Sequence, residues 1–238
     1  MSDPPRAQDA YYRPRKDCQV PSLAAIYEAV FGRRSDGTFV EVGAFDGRTV
    51  SNTDFLADLG WRGLYVEPVP GFAEMCARNH AANPGVTVVC SAIGSQPGAA
   101  RIHLGGVLST ARDDVFDHMQ GVWWGKMLLK GESVEVSKVR LDALLERHGV
   151  APGFEILVVD VEGSESDVFA SFDIGRWRPK VLVIELSDDH PDLQGHAAIV
   201  AEHKDLRARL AAAGYATVFR DPINTVLVRM DGSPERRG

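Results

Sequence analysis

Two segments of the sequence run from uninterrupted apolar residues into carboxylates. "ILVVDVEGSE" (156–165) reaches Asp160, Glu162 and Glu165, and "VLVIELSDDH" (181–190) reaches Glu185, Asp188 and Asp189, with His190 next. Short apolar runs of this kind read as buried strands. Each acid therefore stands at or just past the carboxyl end of a strand, where open α/β sheets collect their ligands. Carboxylates converging at one place repel unless protons or a cation intervene. Oxygen ligands without cysteine suit Mg²⁺. The candidate metal ligands are Asp160 with either Glu185 or Asp188 and Asp189, and both sets stay open. Asp160, Glu162 and His190 are the candidate general bases, with His103 a further one. Glu165 and Asp192 read as ordinary helix and loop surface, and His148, His196 and His203 as bystanders on polar helices.

A second group lies earlier, in "TFVEVGAFDG" (38–47). An apolar run carries Glu41, then Gly43, and closes on Asp46 and Gly47. A dinucleotide fingerprint needs G-x-G-x-x-G. No G-x-G occurs anywhere in the chain, so a pyrophosphate ligand is not indicated. Glu67 ends the next apolar run, "RGLYVEP" (62–68), 20 residues beyond Gly47. A doubly wound fold offers a carboxylate there to a ribose diol. The two glycines are expected to be small so that the amino-acid end of a nucleoside ligand can lie against the backbone.

These residues need a scaffold of alternating strands and helices. "SLAAIYEAVFG" (22–32) has helical spacing, a Ser22 cap and a glycine stop. Strands are predicted at "TFVEVG", "RGLYVEP", "GVTVVCSAIG", "FEILVVDVEG" and "PKVLVIELSDD". Helices are predicted at 50–60, at "GFAEMCARNHAAN", "LDALLERHG" and "SESDVFASF", and over "HAAIVAEHKDLRARLAAAG". This rhythm predicts a Rossmann-like α/β fold with a mostly parallel sheet. "YATVFR" and "NTVLVRM", separated only by "DPI", must close it as an antiparallel hairpin. "AARIHLG" and "SVEVSKV" alternate like half-exposed strands and are expected to pair antiparallel. Between them, "GVLSTARDDVFDHMQGVWWGKMLLKG", with the paired Trp123 and Trp124, reads as an inserted lid or binding loop. The domain organisation is thus an N-terminal arm (1–21) and one domain (22–238) with an insertion at about 99–139. The arm has no core of its own and is expected to fold over the ligands, becoming ordered on binding.

Together the glycine loop, Glu67 and the terminal hairpin resemble a class I S-adenosylmethionine methyltransferase. More specifically, "FVEVGAFDGRTVSNTDFLADLGWRGLYVEPVPGF", "VRLDALL" and "ILVVDVEGSESDVFASF…PKVLVIEL" resemble the FkbM family of methyltransferases, over roughly residues 38–230. The resemblance implies S-adenosylmethionine as cofactor and methyl transfer to oxygen atoms of sugars and natural products. On the family pattern, Glu41, Gly43 and Asp46 would lie under the methionine part. Ser51, Asn52 and Thr53 would open a helix whose free N–H groups suit the carboxylate. Glu67 and Pro68 would hold the ribose, Ser91, Ala92 and Ile93 would flank the adenine, and Asp160 would also touch the cofactor. Among short members of the family, the chain is similar to the branch that 1-O-methylates 3-O-methylmannosides in methylmannose polysaccharide biosynthesis. The expected enzyme is a sugar O-methyltransferase assisted by Mg²⁺, with a saccharide acceptor as partner.

Two alternatives stay open at this point: a catalytically inactive cofactor-binding domain of the same shape, and a nicotinamide-dependent sugar-modifying enzyme, against which the missing G-x-G counts. The bulk properties are permissive. At 238 residues and 45% hydrophobic the chain has ample core for one domain. A net charge of −7 argues against a nucleic-acid partner. Cys18, Cys76 and Cys90 show no metal or redox spacing. No hydrophobic leader or membrane-length apolar segment is visible, so a cytoplasmic location without membrane insertion is expected. The sequence leaves the oligomeric state open and allows a homodimer.

Overall fold

The computed structural model describes residues 10–230. Its centre is a seven-stranded sheet built from β1 (Thr38–Val42), β2 (Arg62–Glu67), β3 (Val86–Cys90), β7 (Ile156–Val159), β8 (Val181–Glu185), β9 (Tyr215–Arg220) and β10 (Asn224–Arg229), in the order β3-β2-β1-β7-β8-β10-β9. β1, β2, β3, β7 and β8 pair in parallel. β10 is antiparallel to both β8 and β9. The terminal hairpin therefore does not merely extend the sheet. Its second strand inserts between β8 and the first. The strand order reverses between β1 and β7, and the carboxyl ends of β1, β2, β7 and β8 all open at this switch point, as open α/β sheets require of a ligand site.

Helices cover both faces. One face packs Leu64, Val66, Leu157, Val159, Leu182 and Ile184 against α6 (Leu141–Arg147), α7 (Glu165–Ala170) and α9 (Ala197–Ala212). On the other, Phe39, Tyr65, Val158 and Val183 pack beneath α1 (Leu23–Phe31), α2 (Asp54–Asp58) and α3 (Pro70–Asn79). Strands buried on both sides are apolar at nearly every position, which is why β7 reads as an unbroken run.

Three local expectations are corrected. The helix expected over 50–60 is a single turn and a half, α2, because Val50 takes a left-handed φ of 53° and the chain turns before the helix begins. The third strand is interrupted at Ser91. β3 stays in the main sheet, while β4 (Ala92–Ile93) joins a second sheet of order β4-β6-β5 with β5 (Gly98–His103) and β6 (Ser133–Val139). β5 and β6 pair antiparallel as expected. The insertion between them is partly helical, with α4 (Asp113–Met119) and α5 (Trp123–Leu128) over a small core of Val115, Met119, Leu129, Leu193 and Ile199.

The arm also differs. Residues 1–9 of the expected arm lie outside the described residues, but Tyr12 and Val20 are fully buried in the core beneath α1 and α2. The Tyr12 hydroxyl donates to the Gly32 carbonyl at 2.9 Å, and its ring meets Tyr27, Phe55 and Trp61 edge-on. A segment that read as coreless is anchored by an aromatic cluster.

Candidate active site

The cleft at the switch point has one end between β2 and the second sheet, where a nucleoside is expected. It is lined by Phe45, Glu67, Pro68, Ser91, Ala92, Ile93, Ile102 and Val107, among others. Glu67 is buried, and its two oxygens accept from the Phe45 and Val69 backbone N–H groups, each at 2.8 Å. Burial pushes its pKa up to about 7. The backbone bonds fix both oxygens and leave each a lone pair for a diol. Phe45 has a φ of 48° and packs edge-on against Phe72 at 4.6 Å, so it forms a rigid wall. Phe45, Ile102 and Val107 were not assigned from the sequence. The last two arrive through the insertion, whose docking leaves no pattern in the chain.

The cleft continues over Gly43 to Glu41, Thr49, Ser51 and Gln19. A side chain at Gly43, whose φ is 87°, would strike the Asp160 carbonyl, and one at Gly47 would strike Cys76 and His80. The glycines are thus required to be small by the Asp160 loop and by α3, and Gly43 also lines the cleft. Asp46 is spent within its own turn: one oxygen accepts from Arg48 and Thr49 N–H and the other from the Thr49 hydroxyl. Glu41 is buried and accepts from the hydroxyls of Ser51 and Thr53. Burial pushes its pKa up to about 7. Ser51 Oγ in turn accepts from the Thr53 and Asp54 N–H groups. Two of the N–H groups expected to be free for a carboxylate are therefore occupied. Asn52 donates to Gln19, and Gln19 donates to Asp160 Oδ2, each at 2.9 Å. The arm thus reaches the centre of the cleft through Gln19, a residue the sequence did not single out.

Asp160, Glu162 and Glu185 meet here, with one carboxylate oxygen from each lying within 4.8 Å of the others. Burial pushes all three pKa values upward, and mutual repulsion adds to it for Glu162 and Glu185. Glu162 has a left-handed φ of 51°, and its carbonyl accepts from the Thr110 hydroxyl at 2.8 Å. Glu185 Oε2 is buried without a hydrogen-bond partner. Three hard oxygen donors and an orphaned carboxylate oxygen fit a divalent cation.

The alternative metal set is corrected. Asp188 is buried against Arg207 and Arg220, and Asp189 pairs with Arg220, so both charges are already neutralised. His190 Nδ1 accepts from the Asp192 N–H at 3.2 Å. The neutral ring then carries its hydrogen on Nε2 and offers a donor, which leaves Asp160 and Glu162 better suited as bases. His103 is engaged with Asp113 at 2.7 Å. Glu165 is not surface: it is fully buried against His203, which is itself buried.

Across the carboxylates from the nucleoside end lies a second pocket, lined by Glu162, Glu185, Ser187 and His190 on one side and by Val115, Met119, Trp124, Leu193, Ile199 and Ile223 on the other. No lysine or arginine lines it among the described residues. Trp124 is fixed by its indole N–H, which donates to Asp192 at 2.9 Å. Trp123, by contrast, is 74% exposed and does not line this pocket.

Known proteins share this fold. The fold is that of the O-methyltransferase from Bacillus cereus solved in complex with SAH, at 13% identity and a TM-score of 0.51 over 90% of this chain and 84% of that one. TomG from Streptomyces achromogenes, an O-methyltransferase of tomaymycin synthesis solved with SAM, aligns at 17% identity and a TM-score of 0.47 over 87% and 78% of the two chains. No curated protein matches the chain. The methyltransferase FkbM domain matches residues 41–217, from the buried Glu41 to Thr217 in β9. That span includes every carboxylate of the cleft, and the chain belongs to the FkbM methyltransferase family.

Proposed function

We propose that the protein is an S-adenosylmethionine-dependent O-methyltransferase acting on a saccharide hydroxyl, with a divalent cation, Mg²⁺, at Asp160, Glu162 and Glu185. One observation carries this reading: the three carboxylates stand where the cleft that Glu67 lines meets an apolar-walled pocket. Glu67 would hold the ribose diol, Ser91, Ala92 and Ile93 the adenine edge, and Glu41 with Ser51 the amino-acid end. When bound, the cosubstrate supplies a sulfonium methyl, whose C–S bond breaks as the acceptor oxygen bonds to carbon. A cation, when bound, lowers the pKa of neighbouring hydroxyls and fixes their orientation. Asp160 or Glu162 takes the acceptor proton. The insertion, through Val115, Met119 and Trp124, covers the acceptor and keeps water out.

The pocket lining narrows the acceptor. Without a lysine or arginine it offers nothing to a phosphate, and its carboxylates repel anions. An uncharged sugar with hydroxyls on one edge and an apolar face on the other suits it, and the 1-O-methylation of a 3-O-methylmannoside is the specific form of this reading. Calorimetry with S-adenosylhomocysteine and NAD⁺, followed by methyl transfer to neutral, O-methylated and phosphorylated sugars, tests it. Binding of the first nucleoside alone, with transfer to neutral sugars, is expected. Binding without transfer to any hydroxyl would indicate a non-catalytic domain, and binding of NAD⁺ instead would overturn the reading.

A further inference from the structure

We propose that Glu165 and His203 form a buried strut that holds the two acidic loops at a fixed separation, and that both are positioning residues for the reacting centre. The proposal rests on reading Asp160, Glu162 and Glu185 as that centre. Glu165 opens α7 and is fully buried; one of its oxygens accepts from the Val161 N–H at 3.1 Å and the Gly163 N–H at 3.2 Å. These are the two residues flanking Glu162. The other oxygen lies 3.0 Å from Nε2 of His203, on α9 and only 1% exposed. His203 Nδ1 accepts from the backbone N–H of Ser187 at 3.1 Å, two residues past Glu185.

The directions of these bonds are fixed. Nδ1 accepts only if it carries no hydrogen, so the ring hydrogen sits on Nε2 and is donated to Glu165. A continuous chain results, running from the loop of Glu162 through Glu165 and His203 to the loop of Glu185. β7 and β8 set the two loops side by side, but strand pairing ends at Val159 and Ile184. Beyond that point the loops need another tie, and an acid-to-histidine link with every bond satisfied supplies it. Neither side chain lines the cofactor cleft or the acceptor pocket. Their effect on the reaction is therefore indirect. Burying such a pair is costly unless it is fully hydrogen-bonded, and replacing both residues by apolar ones would serve packing alone just as well.

The test uses the full chain with Mn²⁺ as the cation probe. His203→Asn keeps an acceptor near the Nδ1 position, His203→Gln keeps a donor near the Nε2 position, and Glu165→Gln removes the charge. Each is compared with the unaltered protein for Mn²⁺ affinity by electron paramagnetic resonance, S-adenosylhomocysteine affinity by calorimetry, and amide hydrogen exchange at Val161, Gly163 and Ser187. Mn²⁺ affinity is expected to fall about 10- to 100-fold, the usual effect of losing an outer-shell partner. S-adenosylhomocysteine affinity should stay within about threefold, since Glu41 and Glu67 lie apart from the strut. Amide exchange should quicken in both loops, whichever bond is removed. A lower melting temperature with unchanged Mn²⁺ affinity, or quickened exchange confined to the loop that lost its own bond, would overturn the strut. If the unaltered protein binds no Mn²⁺, the cation reading falls, and exchange alone judges the strut. If no variant folds, the unaltered protein still decides: the three amides must open together as one unit under mild denaturant, and separate openings would contradict the proposal.

Discussion

Glu67 has both oxygens pinned by backbone N–H groups, so its orientation is set before any ligand arrives. Losing charge-assisted bonds to a ribose costs ~1–3 kcal/mol. Glu67→Ala is therefore expected to weaken S-adenosylhomocysteine binding by roughly 5- to 150-fold by calorimetry; unchanged affinity in the folded variant would remove the ribose assignment. The raised pKa values of Glu41 and Glu67 carry a sign. Both groups sit at about 7 in the folded protein, above the ordinary carboxylate range. The folded state thus holds protons that the unfolded state releases, and the resulting stability is full below about 4.5 and lost as pH rises through about 7. Without ligands, the protein should melt lower at pH 8 than at pH 6, and Glu67→Gln should flatten that dependence; a slope as steep in the variant would contradict the assignment. Among the residues, Glu67, Asp160 and Glu185 were legible because they end apolar runs. Asp188 and Asp189 were misleading because their partners, Arg207 and Arg220, come from α9 and β9 and leave no local signal. Gly43 was legible as special, but its reason, the Asp160 carbonyl, lies more than a hundred residues away.

The N-terminal segment shows how an element's role depends on a few contacts. Tyr12 is enclosed by Tyr27, Phe55 and Trp61, and Gln19 seven residues later touches Asp160. Removing a large buried ring costs about 3–5 kcal/mol, so Tyr12→Ala should lower unfolding stability by that order in a urea titration. Tyr12→Phe, which loses only the bond to Gly32, should cost about 1 kcal/mol. An effect of a few tenths for Tyr12→Ala would mean that the ring is not part of the core. A truncation through residue 17 is accordingly expected to harm stability as well as activity. The sheet's central strands were legible because burial on both faces makes them apolar at nearly every position. The arm was not, because one tyrosine among prolines and arginines carries no periodicity. The short helices of the insertion were equally obscure, since α4 and α5 bury only a narrow side against Leu193 and Ile199.

At the scale of the whole molecule, the topology does the gathering. The reversal between β1 and β7 brings Glu41, Glu67, Asp160 and Glu185 to one edge of the sheet, and the insertion between β5 and β6 adds the opposite wall. That edge was foreseeable from the alternation of strands and helices, and the insertion read as a lid or binding loop; which of its residues face the cleft was not, because among the described residues no strand ladder joins the two sheets. Among the described residues no helix is long and apolar enough to cross a membrane. The carboxylates at this edge are proposed to hold a cation during transfer. The most direct test is methyl transfer from labelled S-adenosylmethionine to a neutral sugar acceptor, measured for the native protein in EDTA, after Mg²⁺ is restored, and for Asp160→Asn. Turnover should collapse in EDTA, return with Mg²⁺, and stay low in the variant while its S-adenosylhomocysteine affinity is retained. Full native turnover in EDTA, with metal analysis finding none bound, would contradict the cation and leave the proton transfer to Asp160 or Glu162 alone.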